Sequence, residues 1–309
     1  MHTILFTHPS CLEHDTGLGH PERIDRLRAV LAALEAEEFM LLDRREAPAA
    51  THEQLLRVHD AGYVDSVFAR LPAHGHGALD GDTVVCAASG EAALRAAGAA
   101  VAAVDAVLGG EARNAFCAVR PPGHHAEPAQ AMGFCLFNNV AVGAAHARTV
   151  HGLKRVAVID FDVHHGNGTQ AMFWDEPELM YCSTHQWPLY PGTGHAAETG
   201  VRGNIVNAPL PAFADGAAFR AAMEGTVLPV LDAFAPELVM ISAGFDAHAR
   251  DPLAGLNLGE DDFAWATQAL LDIARRHSGG RLVSVLEGGY DLQALARSTA
   301  AHVRELMAG

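Results

Sequence analysis

In the run Asp160-Phe161-Asp162-Val163-His164, three residues of metal-binding type alternate with apolar ones. An extended chain sends alternate side chains to one side, so Asp160, Asp162 and His164 are expected to project together. Two carboxylates and an imidazole on one side form part of a metal site. A catalytic zinc takes three protein ligands and keeps one position open for water; Asp162 and His164 supply two. Asp246, in Ser-Ala-Gly-Phe-Asp just past an apolar run, is the best third candidate. Taken alone it reads equally as a helix-capping or turn aspartate. A set of two carboxylates and one histidine is rich in oxygen and accepts Fe(II) as well as zinc.

His124 and His125 follow Arg120-Pro121-Pro122-Gly123, where two prolines and a glycine set a turn that holds the pair. Adjacent imidazoles can divide proton work between activating water and protonating a leaving amine. Each needs an acceptor for its second ring nitrogen, and Asp160 and Asn167 are placed to serve. In Glu287-Gly288-Gly289-Tyr290, two glycines let the backbone bend and carry a phenol into a crevice. That phenol could donate to a carbonyl oxygen as it becomes an oxyanion. On its own it reads as readily as a packing tyrosine.

These groups must be held by elements, and the hydrophobic pattern supplies them. Short apolar runs at residues 3–7, 40–42, 115–119, 155–160, 179–183, 238–242 and 281–287 read as strands. Helical spacing intervenes at residues 52–58, 61–71, 138–150, 169–174 and 261–277, in an Ala-rich stretch over 87–108, and in a helix opened by Pro21 and Glu22. Residues 72–83 read as a Gly/Pro/Asp loop, and a long loop separates residue 183 from residue 238. Strands alternating with helices imply one α/β domain over residues 1–309, an open and mostly parallel sheet with helices on both faces. In such sheets the ligand crevice lies beyond the carboxyl ends of the strands. RPPGHH, DFDVHHGNG, STH, AGFDAH and EGGYD all follow strands directly. Their convergence is stronger evidence than any one motif.

The 309 residues are 50% hydrophobic, with a formal net charge of −16. So acidic a surface argues against nucleic acid or an anionic membrane as a partner, while homo-oligomerisation stays open. Five scattered cysteines without a CxxC pair suit a reducing cytoplasm. The start lacks a basic segment followed by an apolar run, so no signal peptide is expected. The stretch 87–108 carries Glu91, Arg95 and Asp105, which makes it a core helix rather than a membrane span.

Together the motifs HPER, RPPGHH, GFCLFNN, DFDVHHGNGTQ, YPGTG, AGFDAH and LEGGY resemble the histone deacetylase family. That family includes bacterial amidohydrolases and acetylpolyamine hydrolases, and the resemblance covers most of the chain in order. It implies the open α/β fold shared with arginases, and zinc on Asp162, His164 and Asp246. It implies His124 and His125 as the catalytic pair, supported by Asp160 and Asn167, with Tyr290 polarising the acetyl carbonyl. It also implies structural K⁺ on Asp160, Asp162, His164, the Ser183 hydroxyl and the Thr184 backbone. Gly133, Phe134, Tyr190 and Leu253 correspond to the tunnel that takes the acyl-lysine stem. Asn167, together with HPER, points to the second-class branch of the family.

Leu253 stands where the family's polyamine specialist has an acidic gatekeeper, so acyl-lysine is favoured over acetylpolyamine. The acidic loop Asp80-Gly81-Asp82 keeps the small acylated amine in play. Two other classes compete: an arginase-like hydrolase, which needs more carboxylates for two metals, and a non-catalytic acyl-lysine-binding module.

Overall fold

The computed structural model describes residues 2–309. Ten strands form among the described residues: β1 (Thr3–Thr7), β2 (Asp43–Glu46), β3 (His76–Ala78), β4 (Val84–Cys86), β5 (Asn114–Cys117), β6 (Val156–Asp160), β7 (Leu179–Gln186), β8 (Ile205–Leu210), β9 (Leu238–Ala243) and β10 (Leu282–Leu286). Eight of them build one sheet in the order β2-β1-β5-β10-β9-β6-β7-β8, every neighbouring pair parallel. The central strands β5, β6, β9 and β10 are buried at every position. This is the environment that continuous apolar runs such as VAVI and LVMIS require.

Among the helices, α1 (Ile24–Ala33), α2 (His52–Leu55) and α3 (Ala61–Ala69) precede the long α4 (Ser89–Leu108). They are followed by α5 (Asn139–Thr149), α6 (Asn167–Phe173), α7 (Gly216–Ala222), α8 (Leu228–Phe234), α9 (Glu260–His277) and α10 (Leu292–Ala308). Helix α4 packs with α5, and α10 packs with both α1 and α9; these groups flank the sheet. Small side chains let α4 lie close to its neighbours: a Cβ at Gly98 would fall 1.9 Å from the Pro48 carbonyl oxygen. No helix among the described residues is long and apolar enough to cross a membrane.

Four local expectations need correction. The second strand forms at the charged Asp43–Glu46 rather than at 40–42, because it is a sheet edge with one face in water; Met40 and Leu41 are left 74% and 81% exposed. The expected loop over 72–83 contains β3, which pairs antiparallel with β4. The expected long loop between β7 and β9 holds β8, α7, α8 and a π-helical turn at Met223–Val227. Glu22 does not open α1, which starts at Ile24; it is fully buried instead.

Candidate active site and metal centre

The site is assembled at the carboxyl edge of the sheet. β6 ends at Asp160, and beyond it the chain curls instead of staying extended. The Asp162 amide donates to Asp160 Oδ1 at 3.1 Å, and the His164 amide to Asp162 Oδ1 at 2.9 Å. Two successive Asx turns, not strand alternation, therefore bring these side chains together. Asp246, just past β9, accepts the Val163 amide at 2.8 Å, which docks the second loop onto the first.

Asp162, His164 and Asp246 are all buried, and one ligand atom from each lies within 4.8 Å of the others. His164 Nδ1 is 3.1 Å from Asp162 Oδ1 and 3.2 Å from Asp246 Oδ2. Burial and then the charge of Asp162 push the Asp246 carboxyl up, the signature of two acids crowded at one buried point. A divalent cation would relieve that repulsion, so the donor set fits a metal. The space is kept by glycine. A Cβ at Gly244 would sit 2.0 Å from Asp162 Oδ2, and one at Gly288 would sit 2.1 Å from Asp246 Oδ2 and 2.5 Å from Asp162 Oδ2. Gly288→Ala should accordingly abolish binding of one divalent ion per chain while far-ultraviolet circular dichroism stays native; retained metal by elemental analysis would contradict it.

A second group, Asp105, His146 and His151, also has metal-binding donors within 4.8 Å. There Arg57 Nη1 donates to His146 Nδ1 at 2.7 Å, which forces the proton onto Nε2, and Nε2 donates to Asp105 at 2.7 Å. Both nitrogens are engaged, and no metal is assigned to this cluster.

The paired histidines lie with ring centroids 4.0 Å apart. His124 Nδ1 meets Asp160 Oδ2 at 2.9 Å, and His125 Nδ1 meets Asn167 Oδ1 at 2.8 Å. The Asn167 amide nitrogen donates to Glu127 Oε1 at 2.8 Å, which fixes its oxygen toward His125. His125 therefore carries its proton on Nδ1 and presents Nε2 as an acceptor. Burial works against charge on His124, but Asp160 and Asp162 outweigh it and raise its pKa to about 10. His125 falls well below the usual histidine range, through burial and then the charges of His124 and His164.

A cavity of about 210 Å³ opens beside them, lined by Asp82, His125, Gly133, Phe134, His164, Tyr190, Leu253 and Tyr290. All four expected tunnel residues are there. Phe134 adopts a left-handed backbone (φ 70°), and the acidic loop holds it. Asp82 Oδ1 accepts the Gly133 amide at 3.2 Å, and Thr83 Oγ1 accepts the Phe134 amide at 3.2 Å. Tyr190 packs edge-on to His125 at 5.1 Å, and Tyr290 edge-on to Phe134 at 5.9 Å. Burial pushes the Tyr290 phenol well above its usual range, so it is a donor at neutral pH.

Ser183 lies opposite Asp160 in the β6–β7 register, and its hydroxyl meets His185 Nδ1 at 2.8 Å. The buried Thr184 hydroxyl has no partner among the described residues. Cys135 is fully buried, and burial raises its thiol pKa, as in a structural thiol.

Sequence reasoning missed the charges beneath the site. Glu22 Oε2 accepts from Arg120 Nη2 at 2.7 Å, and Glu22 Oε1 accepts from Arg26 Nη1 at 2.9 Å. Arg26 also donates to the carbonyls of Gly289 at 2.6 Å and Glu287 at 2.5 Å, and its guanidinium lies 4.8 Å from the Tyr290 ring centre. Glu287 accepts the amides of Gly123 at 2.6 Å and His124 at 3.1 Å. Thus HPER, RPPGHH and LEGGY are one buried network. The available signal was opposite charges lying within motifs that otherwise carry chemistry.

Comparison with known proteins agrees with this architecture. The chain matches the histone deacetylase domain over residues 20–306. It is 45% identical to a histone deacetylase-like amidohydrolase of Pseudomonas aeruginosa over 277 residues, covering 88% of this chain and 73% of the relative. It is 37% identical to a probable deacetylase of Archaeoglobus fulgidus over 318 residues, covering 100% of this chain and 87% of the relative. The crystal structure of the HDA15 HD domain superposes with a TM-score of 0.94 at 36% identity, over 100% of this chain and 89% of that one. The chain belongs to the histone deacetylase family. Hydrolase activity of the deacetylase and amidohydrolase type follows from that membership.

Proposed function

We propose that this chain hydrolyses the amide of an acetylated lysine side chain, releasing acetate and a free amine. The observation that carries the reading is the cavity. Its Phe134, Tyr190 and Leu253 walls suit an uncharged aliphatic stem, and His125, His164 and Tyr290 line the same space. Asp162, His164 and Asp246 would hold zinc, with Fe(II) as the second choice for this donor set. When bound, such an ion supplies Lewis acidity toward the acyl oxygen and toward water.

The chain's own groups do the rest. His125 Nε2 accepts the proton of the attacking water, while Asn167 keeps the ring in that tautomer. His124, held charged by Asp160, stands behind it, and the pair returns a proton to the leaving amine nitrogen. Tyr290 donates its hydroxyl proton in a hydrogen bond to the developing oxyanion. A structural K⁺ would take Asp160, Asp162, His164, the Ser183 hydroxyl and the Thr184 backbone. We read residues 1–309 as one domain, supported by a sheet that takes strands from both halves of the chain. The five unpaired cysteines support a cytoplasmic setting.

Asp82 at the cavity favours a second reading, hydrolysis of a small acetylated polyamine, because its carboxylate could pair with a distal ammonium. Acetate release from an acetyl-lysine peptide and from N-acetylputrescine, each with and without a chelator, separates the two. Chelator-sensitive turnover that favours the peptide is expected. Preference for the polyamine would overturn the Leu253 argument, and turnover indifferent to chelator would overturn the metal.

A further inference from the structure

Asp251 lies between the second metal-site loop and the cavity rim, and only 8% of it is accessible. Its Oδ1 accepts the Leu253 amide at 2.9 Å, two residues on, an ordinary Asx turn. Its Oδ2 accepts the Tyr290 amide at 2.7 Å, thirty-nine residues on. The adjacent Arg250 turns away, to Asp291 at 3.2 Å and Gln293 at 3.2 Å, so the carboxylate is left to those two amides. A turn alone needs one oxygen, and asparagine or serine would supply it. Using both oxygens requires a carboxylate, because a side-chain amide offers one acceptor and sets its NH₂ against the second donor. The second oxygen therefore has a purpose beyond the turn.

We propose that Asp251 is the positioning residue for Tyr290, fixing the phenol in one frame with the Leu253 wall. This rests on the reading of Tyr290 as oxyanion donor. The Tyr290 amide lies between two glycines and the start of α10; Arg26 and Asp162 hold the glycines before it, and Asp251 holds the amide itself. Gly289 sits at φ 124°, and the α10 cap at Asp291 begins one residue later. Tethering that amide to the rim removes the freedom that would let the hydroxyl wander from the acyl oxygen.

The test is a double-mutant cycle on the metal-loaded protein with an acetyl-lysine peptide. Asp251→Asn should lower kcat about tenfold with KM within about twofold, since a small misplacement of a catalytic group costs rate rather than binding. In a Tyr290→Phe background the same change should cost nothing further. Asp251→Ser, which keeps the turn at Leu253 but cannot reach Tyr290, should behave identically and decides the matter if the asparagine variant folds poorly. Unchanged kcat in either variant, or an undiminished loss without the Tyr290 hydroxyl, would overturn the assignment. Near-normal activity of Tyr290→Phe alone would instead remove the role of Tyr290, a failure distinguishable from the failure of Asp251.

Discussion

Glu22→Gln should lower the free energy of unfolding by about 3–5 kcal/mol, the usual cost of removing one partner from a buried ion pair. Glu22, Arg26 and Arg120 are each 0% exposed, so two guanidiniums would be left in the interior without their shared counter-charge. Since whole domains are stable by only about 5–15 kcal/mol, the variant would sit close to unfolding. Burial tends to raise the Glu22 pKa, but Arg120, then His14 and Arg26, outweigh it and hold it well below the carboxylate range. A depressed native pKa contributes stability that is fully present above the unfolded value of about 4.3 and is lost as pH falls through the lower native value. Urea unfolding of both proteins should thus show a gap that is constant at neutral pH and closes only in acid. A gap below about 1 kcal/mol at pH 7 would contradict this account.

Tyr290→Phe should lower kcat roughly 100-fold, the typical loss for one oxyanion donor. Its ring packing on Arg26 and Phe134 does not involve the hydroxyl, so fold and substrate affinity should hold. A fall in kcat with KM nearly unchanged is the pattern of an interaction made only in the transition state. Steady-state kinetics with a saturable acetyl-lysine peptide reads it directly. Turnover within a few fold of the parent would return Tyr290 to a packing role.

How much of this was legible in the sequence depended on chain distance. The cluster from Asp160 to Asn167 was readable because its donors are neighbours and need only a local turn. The structure brings Asp160, Asp162 and His164 together by Asx turns rather than by the strand alternation expected from the sequence. Asp246 and Tyr290 were readable because each directly follows an apolar strand. Glu22 reads as a first-turn residue because a Pro-Glu pair precedes a helical pattern, and nothing local reveals a partner 98 residues away. Asp251 was silent for the same reason. β8 is hard to read from sequence because it is an edge strand and carries Asn207 and Pro209, tolerated there but untypical of a buried strand.

The place of β10 has a consequence for how the molecule is made. It lies between β5 and β9, and so joins β2-β1-β5 to β9-β6-β7-β8. Every other strand of the sheet leaves the ribosome before it. Without residues 282–286 the sheet would lack the strand that joins its two halves, and the facing edges of β5 and β9 would be unpaired. The same segment leads into Gly288, which packs against Asp162 and Asp246, and Tyr290, which lines the cavity. A chain lacking this segment would lack the joining strand and Tyr290 together, and should show no hydrolase activity.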